Sequence, residues 1–109
     1  MATGPADDFR KNHIISWRKI REFLQDHPED PSAVGAFGAW YDRAEETEFR
    51  HFGDVKNSFP GADQVGHLVV FNIGGNKYRL IAEIQYHRRK IYLRDVFTHR
   101  EYNKGKWKE

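Results

Sequence analysis

The fold is decided by residues 69–102, which read VVFNIGGNKYRLIAEIQYHRRKIYLRDVFTHREY. Three apolar runs, rich in β-branched and aromatic residues, are separated by two short polar turns. The first turn centres on Gly74 and Gly75, and the second is His87-Arg88-Arg89. This pattern predicts an antiparallel meander of about three strands.

Side chains of the middle predicted strand alternate between an apolar set and a set that mixes charged with apolar residues. The apolar set is Tyr78, Leu80, Ala82, Ile84 and Tyr86, and the mixed set is Lys77, Arg79, Ile81, Glu83 and Gln85. We expect helices to cover the apolar face. The face of Arg79 is then predicted to stay open to solvent or to a polar ligand.

The first predicted helix has apolar residues at helical spacing and ends at Pro28. A second starts at Pro31-Ser32, and its predicted buried stripe is Val34, Phe37, Tyr41 and Ala44, flanked by Trp40. Gly35 and Gly38 lower the stability of that helix by roughly 1 kcal/mol each relative to Ala. We therefore expect a packing partner close to these two glycines.

The order of elements is typical of an α+β fold. A short apolar segment, 13–15, is predicted to be an edge strand; two helices and a helical turn starting near Asp54 follow it, and the meander comes last. We predict N-terminal helices packed on one face of a small antiparallel β-sheet. Residues 13–109 are predicted to form one domain, preceded by a flexible extension, residues 1–12.

The composition of the 109-residue chain restricts the kind of protein and its compartment. No segment approaches the roughly 20 apolar residues of a membrane helix, and the start lacks the apolar core of a signal peptide. The chain has no Cys, which excludes disulfides and thiolate metal sites. We expect a cytoplasmic protein with no membrane partner.

Charge is divided unevenly along the chain. Residues 1–63 hold 8 Lys/Arg and 12 Asp/Glu, a net charge of −4, whereas residues 64–109 hold 10 and 4, a net charge of +6. A basic sheet half suits a polyanion such as nucleic acid. Ordinary solubility explains the same asymmetry equally well.

Arg79 is the first residue that points to chemistry. A guanidinium in mid-strand can bind a phosphate through two parallel hydrogen bonds, with Lys77 as a second contact. The alternative is a cross-strand ion pair with Glu83 or Asp95. Four cations are predicted to contact RNA: Lys56, Lys77, Arg94 and Lys104.

His99 and Tyr102 lie where the last strand ends. An imidazole can take or give a proton near neutral pH, as phosphodiester cleavage requires. A phenol three residues later can stack on a base or donate to a phosphate. The alternatives are a His that caps the junction and an aromatic that docks the C-terminus. None of the six His residues has another at the i,i+3 or i,i+4 spacing, so we predict no metal site and no cofactor.

Five segments together resemble the HigB family of bacterial type II toxins, within the RelE-like group of ribosome-dependent mRNA endoribonucleases. They are Ile20-Arg21-Glu22-Phe23 with His27-Pro28; Ala39-Trp40-Tyr41; Asp54-Val55-Lys56 with Phe59-Pro60 and Ala62-Asp63; residues 69–81; and Thr98-His99-Arg100-Glu101-Tyr102. The run VFNIGGNKYRL and the ending Thr-His-x-Glu-Tyr are specific in combination. The first dozen residues and the tail after Asn103 depart from the family pattern.

The resemblance implies a RelE-like α+β fold and metal-independent cleavage of mRNA in the ribosomal A site by attack of the 2′-hydroxyl. It implies a cognate antitoxin, a helix-turn-helix HigA-like protein. By position it assigns Arg79 to the scissile phosphate, and His99 and Tyr102 to the C-terminal catalytic cluster. The competing hypothesis is a non-catalytic module that binds RNA or a protein through the basic sheet face.

Overall fold

The computed structural model describes residues 11–105, and within them the predicted meander is present. The strands are β1 His13–Ile15, β2 Asp63–Val65, β3 Leu68–Ile73, β4 Tyr78–Gln85 and β5 Lys90–Thr98. The helices are α1 Arg18–Asp26, α2 Ser32–Glu46, α3 Phe52–Ser58 and α4 His99–Asn103. Gly74 and Gly75 both have positive φ, 65° and 71°, a backbone that favours glycine in the β3–β4 turn.

The α+β prediction is confirmed, but the sheet is mixed rather than purely antiparallel. Its strand order is β1-β5-β4-β3-β2. The meander and β2 pair antiparallel, whereas β1 pairs parallel to β5, with Ile14 opposite Ile91. A parallel pair requires a long crossover, and here helices α1 to α3 and strands β2 to β4 lie between β1 and β5 in the chain. The sequence pattern of a three-residue edge strand carried no information about its direction.

A β-bulge interrupts the pairing of β4 with β5. Ile81 lies opposite Asp95 while the next residue, Ala82, lies opposite Leu93, so Arg94 is the extra residue on β5. A bulge bends a strand and redirects its side chains. The end of β5 that leads into His99 is thereby set off from the regular half of the strand.

Helices α1 and α2 cover the predicted apolar face, with Tyr78, Leu80 and Ala82 in one core with Phe23 and Phe37. The buried stripe of α2 differs from the prediction: it is Ala33, Phe37, Trp40 and Ala44. Val34 is instead 62% exposed. The helix is rotated so that the large Trp40 ring packs on Phe71, with ring centroids 5.3 Å apart. Burying Trp40 removes more apolar surface from water than burying Val34 would.

The opposite face of the sheet is not open at Arg79, and that expectation was wrong. Arg79 is 8% exposed, and Ile81 and Val70, which lie opposite each other on β4 and β3, are 1% and 2% exposed. Neither Arg79 nor Ile81 belongs to the core beneath the helices. The guanidinium is therefore buried on the side of the sheet away from α1 and α2.

Asn12, which comes just before β1, is packed against the end of helix α2. Its side-chain amide donates to the carbonyl oxygens of Ala44 at 2.7 Å and Thr47 at 2.8 Å, which ties the start of β1 to the end of α2. Residues 1–10 of the predicted extension and the last four residues of the tail, 106–109, lie outside the described residues. Among the helices of residues 11–105, none has the length and apolar character needed to cross a membrane.

Candidate active site

The β3–β4 turn places Asn76 at the centre of a polar cluster. The Arg79 guanidinium donates from Nη2 to the Asn76 side-chain oxygen at 2.7 Å and from Nη1 to the Asn76 carbonyl oxygen at 3.3 Å. Nη1 also donates to the carbonyl oxygen of Tyr78 at 3.1 Å. A rigid planar guanidinium with three such bonds has a fixed orientation.

Helix α4 brings Tyr102 over this guanidinium. The carbon at the centre of the Arg79 guanidinium lies 5.5 Å from the centroid of the Tyr102 ring, a cation–π distance. The helix starts with a capping box: the Thr98 hydroxyl accepts from the Glu101 N–H, and the Glu101 carboxylate accepts from the Thr98 N–H. This cap orients a helix of only five residues.

His99 joins the cluster from the first turn of α4. Its Nδ1 lies 3.1 Å from the carbonyl oxygen of Asn76, and its main-chain N–H donates to the carbonyl oxygen of Lys77. A carbonyl oxygen only accepts, so the ring donates from Nδ1 and the neutral imidazole keeps its lone pair on Nε2. The capping role proposed as the alternative for His99 belongs to Thr98.

No carboxylate among residues 11–105 balances the charge of Arg79. Its hydrogen bonds to described residues all end on neutral oxygens, those of Asn76 and Tyr78. Glu83, one of its two possible ion-pair partners, is bound by Arg94 at 2.9 Å instead. A cation that is buried without a counter-ion is costly, so it is a strong site for an anionic ligand.

The other predicted RNA contacts do not gather around Arg79. Lys77 lies 3.5 Å from Asp30 in the α1–α2 connection, and Lys56 donates to the carbonyl oxygen of Ala62 at 2.7 Å. Arg94 lies at the bulge in its ion pair with Glu83. Lys104 follows α4 and is exposed. The structure therefore brings together Arg79, His99 and Tyr102, and leaves the four additional cations dispersed.

Sequence reasoning missed Asn76 and Asp30. The Asp30 carboxylate accepts hydrogen bonds from the Ser32 hydroxyl and from the Tyr78 hydroxyl, the latter at 2.6 Å. These two hydrogen bonds, of which that from Ser32 has the larger effect, lower the pKa of Asp30 from 3.8 to about 2. Burial and then the Asp30 hydrogen bond raise the pKa of Tyr78 to about 12. This network links the α1–α2 connection to the first residue of β4, next to Arg79. The signal available for Asn76 was its place in a Gly-Gly-Asn turn beside the two proposed cationic residues.

Residues 11–105 contain no group of three or more His, Asp or Glu side chains arranged to hold a metal ion. The cluster around Asn76 consists of a cation, an imidazole and a phenol. In chemical terms it can bind an anion, transfer a proton and stack on a planar ring.

Comparison with known proteins supports the family expected from the sequence. Residues 33–105 match the model of the HigB toxin family, described as the RelE-like toxic component of a toxin–antitoxin system. The chain is 29% identical over 94 residues to the mRNA interferase toxin HigB of Escherichia coli K12, and the aligned segment covers 84% of this chain and 88% of that protein. The mRNA interferase HigB of Shigella flexneri has the same identity and the same coverage. The mRNA interferase HigB of Escherichia coli O6:H1 is 28% identical over 95 residues, and the aligned segment covers 84% of this chain and 89% of that protein. The segment matched by the family model contains the whole cluster around Asn76. The chain belongs to the HigB family of RelE-like toxins of toxin–antitoxin systems.

Proposed function

We propose that this chain is an endoribonuclease that cleaves translated mRNA in the ribosomal A site and so inhibits translation. Its relatives are named mRNA interferases, and the family is the toxic component of a toxin–antitoxin system. Residues Arg79, His99 and Tyr102 form the catalytic cluster. Translated mRNA and ribosomes are found in the bacterial cytoplasm, which is the compartment we assign.

The observation that carries this proposal is that the Arg79 guanidinium has no carboxylate partner in the part of the chain that the structure describes. It is 8% exposed, its hydrogen bonds end on neutral oxygens, and an imidazole shares one of its acceptors. A phosphodiester supplies the missing negative charge. The arrangement also places a proton-transferring group next to the bound phosphate.

The reaction needs no group beyond these side chains and the RNA itself. The 2′-oxygen forms a bond to the adjacent phosphorus, the bond from phosphorus to the 5′-oxygen breaks, and a cyclic phosphate and a 5′-hydroxyl remain. One proton leaves the 2′-hydroxyl and one reaches the 5′-oxygen. Arg79 stabilises charge on the nonbridging oxygens, which is greatest in the transition state. His99 transfers a proton through Nε2, and Tyr102 stacks on a base or donates to the phosphate.

Substrate binding requires the Tyr102 ring to move, whereas the hydrogen bonds of Arg79 can stay in place. The bonds to Asn76 and Tyr78 use three of the five N–H donors of the guanidinium and leave two for a phosphate, and the Tyr102 ring lies over the guanidinium. Movement of Tyr102 onto an RNA base would uncover the cation. The four dispersed cations, Lys56, Lys77, Arg94 and Lys104, serve as weaker contacts to the RNA backbone.

The burial of the Arg79 guanidinium also favours a second candidate function. A guanidinium that ties a turn to a strand can be a structural element, and the protein would then be a non-catalytic module that binds RNA or a protein through its basic half. The two candidates differ in one measurement, because a binding module leaves translated mRNA intact.

The partner that neutralises the toxin is an antitoxin, and we propose a helix-turn-helix HigA-like protein. The experiment that tests the function is expression of the chain without its antitoxin, followed by primer extension on ribosome-bound mRNA. We expect growth arrest and new 5′ ends within translated codons, absent when ribosomes are cleared from the message. Growth arrest without any new 5′ ends would support the second candidate.

A further inference from the structure

The outer face of α2 carries a groove that nothing in the described chain fills. A cavity of about 350 Å³ is lined by Trp17, Gly38, Tyr41 and Asp42. Trp17 and Tyr41 form its aromatic wall, in edge-to-face contact with ring centroids 4.8 Å apart. Gly38 lies on the α2 surface within this groove.

The groove continues along α2 onto exposed apolar surface. Val34 lies one helical turn before Gly38 and is 62% exposed; among residues 11–105 it is the large apolar side chain that stands out to solvent. A Cβ atom built on Gly35 or on Gly38 would meet no atom within 4 Å outside its own helix and chain neighbours. The packing partner expected for these glycines is therefore absent from residues 11–105.

Charge at the groove indicates what kind of partner fits. The Asp42 carboxylate makes no hydrogen bond or ion pair with any residue of the described segment, 11–105. Residues 11–48 contain five Lys/Arg and eight Asp/Glu, so this region repels RNA and attracts a basic group. The mRNA is expected at the opposite, basic half of the chain.

We propose that this groove, formed by Trp17, Val34, Gly35, Gly38, Tyr41 and Asp42, is the docking surface for a helix of the antitoxin. Two surface glycines three residues apart let the backbone of a second helix approach closely. Trp and Tyr are the residue types that dominate binding energy in protein interfaces. The docked helix presents small or apolar residues to Gly38 and a Lys or Arg to Asp42.

A second copy of this chain fits the groove less well than the antitoxin. Its own α2 face would present Val34, Gly35 and Gly38, which offer no cation to Asp42. Packing against that face would bury the carboxylate without a partner, a destabilising arrangement. The proposal rests on family membership, which implies an antitoxin, and it does not depend on cleavage of mRNA.

The test measures binding of the full-length toxin to its immobilised cognate antitoxin by biolayer interferometry, after release of the toxin from the co-expressed complex. Gly38→Leu fills the groove and Asp42→Lys reverses its charge. We expect Gly38→Leu to raise Kd at least 30-fold and Asp42→Lys at least tenfold. The matched control is Ala39→Leu, which adds a larger side chain at the neighbouring exposed position of α2 and should change Kd less than threefold.

Folding of each variant is checked by circular dichroism and by its melting temperature. Asp42→Lys changes an exposed side chain without a partner in the described segment, so it keeps the test valid if Gly38→Leu does not fold. Kd values within threefold of the parent for Asp42→Lys and every folded groove variant would overturn the proposal. A concentration-dependent dimer of the toxin alone that Gly38→Leu abolishes would also overturn it, because the occupant would then be a second copy.

Discussion

Arg79 and His99 share one hydrogen-bond acceptor, the main-chain carbonyl oxygen of Asn76, which lies 3.3 Å from Arg79 Nη1 and 3.1 Å from His99 Nδ1. The two side chains come from the beginning of β4 and the beginning of α4, so one turn residue sets their relative position. A phosphate that binds Arg79 therefore meets an imidazole whose orientation is already set. Preorganisation of this kind lowers the free energy of reaching the transition state.

Removal of the Arg79 charge tests the phosphate site. We expect Arg79→Ala to reduce mRNA cleavage at least 100-fold and to restore growth, because it removes the charge stabilisation worth about 3–4 kcal/mol in comparable sites. Arg79→Lys should recover only part of the activity, since an ammonium lacks the planar two-point geometry. Arg18→Ala is the control, because Arg18 is exposed, paired with Glu22 and not among the proposed RNA contacts. Full toxicity of a folded Arg79→Ala protein would contradict the assignment.

Replacement of His99 tests the proton transfer. His99→Ala should lower the cleavage rate about 10²- to 10⁴-fold, the range typical of a lost general acid or base. Arg100→Ala alters the exposed neighbour and should leave the rate within threefold. Single-turnover cleavage of mRNA on purified ribosome complexes measures both. Equal rates for the two variants would show that His99 does not transfer the proton.

Asn76 connects the two side chains proposed to be catalytic, Arg79 and His99, and its own side chain acts on Arg79 alone. Asn76→Ala removes the 2.7 Å bond to Nη2 but keeps the carbonyl that binds Nη1 and His99. We expect a loss of about tenfold in activity, equal to about 1.4 kcal/mol, with the melting temperature nearly unchanged. Asn72→Ala, on the adjacent strand opposite Arg79, is the matched control. A loss as large as that of Arg79→Ala would mean that Asn76 contacts the substrate itself.

The Asp30 network predicts a specific loss of stability in acid. The pKa of Asp30 is lowered to about 2 in the folded protein, below its ordinary 3.8. Its ionised form therefore stabilises the fold fully above pH 4, and this contribution disappears as the pH falls from about 4 to about 2. Urea unfolding is measured between pH 5 and pH 2. The urea midpoint of Asp30→Asn should be lower than that of the parent at pH 5 and should fall less steeply as the pH decreases. For Asp42→Asn, the control, the urea midpoint should fall with pH as steeply as it does for the parent protein. If the midpoint of Asp30→Asn followed the parent's pH curve as well, the network would be refuted.

The exposed glycines of α2 predict a gain in stability. A Cβ atom at Gly35 or Gly38 meets no other part of the described chain, so Gly→Ala restores helix propensity without a clash. Each substitution should stabilise the fold by about 1 kcal/mol and raise the melting temperature by several degrees. Gly74→Ala is the contrast, since Gly74 has φ 65° and substitution there should destabilise the protein. Destabilisation by Gly35→Ala and Gly38→Ala would contradict the placement of that helix face.

Local patterns were sufficient to predict the meander, the two long helices and the α+β class. Alternation along β4 correctly placed Tyr78, Leu80 and Ala82 in the core, because period 2 follows directly from strand geometry. The position of His99 and Tyr102 at the end of the last strand was also readable. The direction of β1, the rotation of α2 and the bulge at Arg94 were not, since each depends on contacts between segments distant in sequence.

The sequence by itself determined the chemistry of the cluster: a guanidinium, an imidazole and a phenol carried by the meander and the residues that follow it. Only the tertiary structure decided that Arg79 is buried and that Asn76 joins it to His99. It also decided that Val34 and the two glycines of α2 face outward. Spacing along a chain gives the periodicity of each element, whereas burial depends on which volumes fill the space between elements.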